Sequence, residues 1–494
     1  MEIEFKKEHI PIALLVIVSV IYFYLSSNTA MLGEDEGAYF FTAKQFSNLQ
    51  YPSFLSQAQP LNYPPLIPLI SVPFFFIFGS TLNVAKFIIC LFGILTLFLI
   101  LSIRGKTSWI FGVTAAFLLL SMPLFTHFMF LYYVEIPIAF FSLLSFILFT
   151  SMNSTKRAAL TGAVLSLSFY VKFSAVFLPV SLLIYALVKY FYKKDKNYLK
   201  FSIIACIIFA ALIFPLIARN IIFYNYPYVE GLNLFFKEPR LTPSWVSSSA
   251  NVLSPSVDFL SIFGFLSLIL GFQGIAYFLL SKDEKLLLPN LIFILFILIY
   301  YIRVLLNLGI GEPRYFVIIF PQLALICGYF ADKFYEKNKK YLIILFAIIL
   351  VSLYLSFSVA LSTFGSTRYP QNYLDALNWI KQNTPANANI FTAYGGSLEM
   401  FAGRSNVWAI EEFPQLMSTQ DTDYIYNTLV KYNASYILIW RGIVAQDYIV
   451  PESNLIGAFT YNFVNVVSSD IQNNNQTHFS ITYQNQDNMI LRLM

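Results

Sequence analysis

Charge is scarce in this chain: only 12% of its 494 residues are Asp, Glu, Lys or Arg, while 58% are hydrophobic and the mean hydropathy is +0.66. That balance excludes a soluble globular protein of this length. Histidine is scarcer still, with three residues and no spacing that could ligate zinc. Cysteine occurs three times, at Cys90, Cys206 and Cys327, each inside an apolar run. None lies in the polar C-terminal region, which excludes a disulfide framework there. Three such residues read as small buried hydrophobes. The five tryptophans, at 109, 245, 379, 408 and 440, are never adjacent, and no internal repeat is present. The net charge of +5 is unevenly spread: residues 1–361 hold 25 Lys+Arg and 16 Asp+Glu, residues 362–494 hold 6 and 10. The basic excess belongs to short loops between apolar runs, so a nucleic-acid partner is not implied.

What is abundant is long apolar sequence, with 52 Phe and 33 Tyr suited to a bilayer-embedded surface and its aromatic belts. Runs of about twenty apolar residues read as spanning helices. They fall near 10–26, 82–103, 108–126, 131–151, 158–171, 173–192, 201–222, 257–280, 286–306, 315–332 and 341–361. The pair meeting at Lys172 is either one broken helix or two spans with a tight turn; counting two gives eleven spans. Residues 65–79 are apolar but short and carry Pro65, Pro68 and Pro73, which suits a juxtamembrane helix lying in the interface. The Lys and Arg bias places the N-terminus in the cytoplasm, with 17 basic residues in the inner loops and 8 on the outer side of residues 1–361. Lys6-Lys7 followed by residues 10–25 also has the layout of a signal peptide, whose removal would not change the side on which the C-terminus emerges.

Residues 362–494 have shorter apolar runs and more Asn, Gln and Asp. Helical periodicity over Asn372–Gln382 and strand-like runs at Asn389–Ala393, Tyr436–Trp440, Phe459–Val467 and Phe479–Tyr483 predict a small α/β domain. The expected architecture is a polytopic α-helical membrane protein. Its membrane domain covers 1–361, with an outer loop over 27–81, and a soluble extracytoplasmic domain covers 362–494.

The most informative polar residues sit just past the first span, in Glu34-Asp35-Glu36-Gly37-Ala38-Tyr39-Phe40. Carboxylates at a membrane boundary usually face a bundle interior or a watery cavity; an acidic start to a short solvated helix is the plainer alternative. Tyr63-Pro64-Pro65 is a rigid turn. Glu135 opens a span beside Pro137, Lys172 interrupts an apolar stretch with no acidic neighbour in sequence, and Glu312-Pro313-Arg314-Tyr315 forms a short loop.

Taken in order, these pieces resemble the C-type multi-spanning glycosyltransferases (the GT-C fold), in the branch of protein O-mannosyltransferases and aminoarabinose transferases. The likeness rests on Asp35-Glu36-Gly37-x-Tyr39, Tyr63-Pro64-Pro65-Leu66-x-Pro68 and Leu131–Phe140. It extends through Gly162–Phe173, Glu312-Pro313-Arg314-Tyr315 with Pro321, and more weakly Arg219-Asn220. Trp379-Ile380-Lys381 with Thr384-Pro385, and Tyr394-Gly395-Gly396, are similar to outer domains of prokaryotic members. Oligosaccharyltransferases carry a paired-Trp-Asp motif that this chain lacks, which disfavours en bloc transfer.

The resemblance implies transfer of one sugar from a polyprenyl phosphate (dolichyl or undecaprenyl) to a glycan, lipid or protein acceptor on the outer face of the plasma membrane. Such a reaction needs a base at the acceptor and cations at the departing phosphate. It implies Asp35 as base, with Glu36 orienting it or binding acceptor. Lys172, Arg314 and Tyr63 would lie at the donor, and Glu135, Tyr39, Glu312, Arg219 and Asn220 around the sugar or acceptor. No metal is expected to be required, although His127 with Glu135 and the acidic loop could complete a divalent site. For the single residues plainer readings stay open: Lys172 as a snorkelling helix-end lysine, Arg314 as a partner of Glu312, Glu135 as a favourable helix start. The alternatives of another class are a non-catalytic binding protein for lipid-linked sugars and a transporter or flippase of them. Charged groups near the span centres would favour that reading, but here they cluster at the span ends, with Arg303 the doubtful case.

Overall fold

The computed structural model describes residues 9–26, 34–49, 64–103, 109–224, 294–295, 313–337, 347, 349–355, 357–358, 369, 371–392, 395–407, 416, 419–440, 466–467, 469, 471, 478–486 and 488–494. The chain divides into two compact units. One comprises Met1–Thr29, Pro60–Lys237 and Val257–Ser362; the other comprises Ala30–Gln59, Glu238–Ser256 and Thr363–Met494. Residues 30–59, expected to be part of the outer loop of the membrane domain, thus cluster with the C-terminal residues.

The first unit is helical. Helix α1 (His9–Ser26) comes first. The short α3 (Leu66–Phe78) is followed by α4 (Leu82–Ser102), α5 (Trp109–Leu120), α6 (Pro123–Phe128), α7 (Glu135–Thr150), α8 (Thr155–Val171), α9 (Phe177–Lys193), α10 (Lys196–Tyr224) and α11 (Phe320–Lys337). (Helix α2, Glu34–Ser47, belongs to the second unit.) Among the described residues, Leu82–Ser102, Phe173–Lys193, Lys196–Ile222 and Phe316–Lys333 are long and apolar enough to cross a membrane. The expected spans at 257–280 and 286–306, with Arg303, lie almost wholly outside the described residues, as do Arg104 and Lys106.

Local chemistry explains the breaks. The single span expected over 108–126 is divided, because Pro123 cannot donate to the preceding turn and starts a new helix. Thr81 caps α4 by accepting from the Val84 amide, and Ser154 caps α8 by accepting from the Arg157 amide. At Lys172 the backbone turns extended (φ −152°, ψ 127°), and a 3₁₀ turn, Phe173–Val176, leads into α9, so the pair there is two helices. Helices α8 and α10 meet closely at Gly162, where a Cβ would lie 2.5 Å from the Ala205 carbonyl oxygen; any larger residue would push the two apart.

Among the described residues the second unit is built on a five-stranded mixed sheet of order β2-β1-β3-β5-β4, from β1 (Asn389–Phe391), β2 (Ser405–Asn406), β3 (Tyr436–Trp440), β4 (Phe479–Gln484) and β5 (Asn488–Leu493). The first three strands are parallel, and β5 joins β3 antiparallel with Leu438 opposite Ile490. Side-chain alternation sorts the core into two layers. Tyr436 and Leu438 pack with Tyr373, Leu377 and Ile380 of α12 (Gln371–Asn383). Ile437 and Ile439 pack with Ile425 and Leu429 of α13 (Thr422–Lys431) on the other face. Val466 and Val467 are helical where a strand was expected; a short apolar run does not by itself distinguish the two. None of the three cysteines is in a disulfide, and Cys90 and Cys327 are buried.

Candidate functional site

Alternation of the helices brings four chain segments to one end of the first unit. These are the start of α4, the α6–α7 connection, the α8–α9 turn and the 3₁₀ segment Pro313–Ile319. The connection 129–134 is fully buried, and Ser71 of α3 shares a 2.7 Å hydrogen bond with Tyr132. Gln322 of α11 donates to Ser142 of α7 at 3.0 Å, both buried, so the segment carrying Arg314 is tied to the helix that opens with Glu135.

Glu135 stands at the first position of α7, 2% exposed. Its Oε1 accepts from Lys172 Nζ at 2.9 Å, and Arg314 Nε lies 3.8 Å from the same oxygen. The guanidinium of Arg314 also sits 5.6 Å from the centroid of the Tyr133 ring, a cation–π arrangement. Lys172 and Arg314 keep 12% and 15% of their side chains exposed, so both cations reach the edge of the bundle while the carboxylate lies beneath them. Glu135 Oε2 is buried and takes no hydrogen bond among the described residues. Taken by themselves, the three groups carry a formal charge of +1.

Lys172 therefore has an acidic neighbour after all, 37 residues away in sequence. Arg314 approaches Glu135; Glu312, the partner considered from sequence, lies outside the described residues, as does Tyr63. Arg219 and Asn220 sit near the end of α10, where the guanidinium donates to the Asn220 amide oxygen at 3.0 Å. Asp35, Glu36 and Tyr39 lie on α2 in the second unit: Glu36 is fully buried, Tyr39 is 6% exposed and Asp35 is half-buried. Among the described residues no group of three or more His, Cys, Asp or Glu is placed to hold a metal ion. One residue passed over in the sequence is Lys86, fully buried in the first turns of α4. Its signal was an isolated lysine five residues into an apolar run, since such a charge is buried only for a reason.

Residues 62–217 match the family model described as dolichyl-phosphate-mannose-protein mannosyltransferase, a stretch that contains Glu135 and Lys172. No curated protein matches the chain. Among solved structures, ArnT from Cupriavidus metallidurans bound to undecaprenyl phosphate is similar over 97% of each chain, with 14% identity and a TM-score of 0.61. The archaeal oligosaccharyltransferase AglB from Archaeoglobus fulgidus, in complex with an inhibitory peptide and a dolichol-phosphate, is similar over 87% of this chain and 69% of its own, with 14% identity and a TM-score of 0.58. The Archaeoglobus fulgidus oligosaccharyltransferase complex with Zn and sulfate is similar over 86% and 67%, with 15% identity and a TM-score of 0.60. At these identities the likeness is one of fold: a polytopic helical fold with a small sheet domain at the C-terminus.

Proposed function

We propose that this chain, which has the fold of the C-type glycosyltransferases, is a membrane glycosyltransferase. It moves a single sugar from a polyprenyl phosphate to an acceptor on the outer face, with inversion. The observation that carries the reading is the pairing of Lys172 and Arg314 over one buried carboxylate. Two cations from separate segments, held at the bundle end and partly exposed, suit a lipid phosphate at the membrane boundary. Lysine supplies a point charge and arginine a planar fork for the phosphate oxygens. That one structural neighbour holds undecaprenyl phosphate and another dolichol-phosphate supports a ligand of the same kind here.

In the step itself an acceptor hydroxyl oxygen forms a bond to the anomeric carbon while the bond from that carbon to the phosphate oxygen breaks. The electron pair leaves on the phosphate, where Lys172 and Arg314 stabilise it, so no general acid is needed. The hydroxyl proton passes to the Asp35 carboxylate, which acts as the base. Glu36 orients Asp35 or holds the acceptor. Glu135 anchors the two cations through Oε1 and offers Oε2 to a sugar hydroxyl. Tyr39, Tyr63, Glu312, Arg219 and Asn220 complete the donor and acceptor surroundings.

The test is to supply the purified protein with polyprenyl-phosphate sugars and a panel of hydroxyl acceptors in lipid discs. Release of polyprenyl phosphate and transfer of the sugar, with inverted linkage, are expected. A protein that binds donor, moves it between leaflets and never consumes it would establish the transporter reading in place of this one.

A further inference from the structure

Within the second unit, helix α2 lies against the turn Gly395–Ser397. The approach is backbone to backbone. A Cβ on Gly37 would meet the Gly396 carbonyl oxygen at 2.3 Å, its carbonyl carbon at 2.5 Å and its Cα at 3.0 Å. Glycine is a poor helix residue beside alanine, so Gly37 in the first turns of α2 needs a compensating contact, and this approach provides it. The turn is firmly seated. Ser397 is buried and shares a 2.7 Å hydrogen bond with Tyr373 of α12. Leu398 and Ala402 follow it into the core against Leu377 and Ile380. Arg404 then ties the segment down, donating to the Lys381 and Thr384 carbonyls at 2.8 Å each and to the Ala402 carbonyl at 3.0 Å. The helix that bears Asp35 and Glu36 is therefore packed on the sheet domain formed by residues more than 330 positions away.

We propose that the C-terminal domain is the mount of the acidic helix. Gly37 acts as a positioning residue whose contact with Gly396 sets where Asp35 and Glu36 stand. The inference rests on the reading of Asp35 as the base. It assigns the soluble domain a part in catalysis: a shift at the Gly37–Gly396 contact becomes a shift of the base.

Gly37→Ala tests this. Ordinary van der Waals contact begins near 3.4 Å, so the 2.3 Å approach must open by roughly 1 Å. A misplacement of that size costs about a hundredfold in rate. The expected result is kcat lowered by about that factor with donor binding within twofold of wild type. Alanine favours the helix itself, so loss of helix propensity cannot account for the drop. Tyr373→Phe removes the hydrogen bond seating the turn without touching α2 and is expected to lower kcat several-fold, again with donor binding kept. Asp35→Asn is assayed beside them. An active Asp35→Asn protein overturns the base reading; an inactive one together with a Gly37→Ala protein of wild-type kcat overturns the mount alone. Should Gly37→Ala fail to fold, Tyr373→Phe decides, and unchanged kcat there overturns the proposal.

Discussion

Removing Lys172 alone cannot tell a phosphate contact from a structural ion pair, because Glu135 depends on it; removing both can. At 2.9 Å the Lys172–Glu135 pair has a gross attraction of roughly 6 kcal/mol at an effective dielectric of about 20, and at 3.8 Å the Arg314–Glu135 pair roughly 4 kcal/mol. Desolvation of the buried carboxylate offsets much of this, so the net worth is far smaller. Lys172→Met deletes the cation at similar length and leaves Glu135 facing Arg314 only. If Lys172 touches the donor phosphate, the loss is that of a charge-assisted hydrogen bond, about 1.5–3 kcal/mol or roughly ten- to a hundredfold in donor affinity. In Lys172→Met with Glu135→Gln, the stranded carboxylate is gone but the phosphate contact is still missing. Donor binding, read by titrating polyprenyl phosphate onto protein in lipid discs, is then expected to stay at least about tenfold weaker than wild type. A double variant that binds donor like wild type would refute the reasoning, since Lys172 would then serve Glu135 and nothing else.

Other outcomes follow from the same account. A reporter fused after Ser362 is expected to score as extracytoplasmic, from the bias of 17 basic residues to 8; a cytoplasmic score would put Asp35 on the wrong side. Arg404→Met removes the donor from three carbonyls of the C-terminal unit, two of them buried, and is expected to cost it roughly 3 kcal/mol, seen as faster proteolysis of that unit, with unchanged proteolysis counting against the anchoring role. Chelation by EDTA is expected to leave sugar transfer unchanged; loss of transfer restored by a divalent ion would show that a metal takes part.

The features legible in the sequence were those written within one turn or one run. Apolar length gave the helices of the first unit and short strand-like runs gave β1, β3 and β4, while the break at Pro123 was concealed by the length of the apolar run. Contacts between distant segments were not legible. Lys172 and Glu135 lie 37 residues apart on different helices, and neither sequence neighbourhood names the other. Strand β5 was not legible because its run Asn488–Leu493 mixes Asn488 and Arg492 with the apolar residues and its face is set by pairing with β3 and β4. Helix α13 was missed although Asp421 caps it by accepting from the Tyr424 amide, a start signal present in the sequence. Gly37 and Gly395-Gly396 both stood in quoted motifs, but only the fold brings the two together.

Asp35→Asn keeps the shape of the side chain and removes the proton acceptor, and the decisive experiment is turnover of a polyprenyl-phosphate sugar by this protein, measured beside donor binding on the same preparation. Positioned general bases contribute roughly a hundred- to ten-thousandfold, so turnover is predicted to fall by about that much while donor affinity stays near wild type, with Glu36→Gln milder. Near-normal turnover by the Asp35→Asn protein would contradict the account.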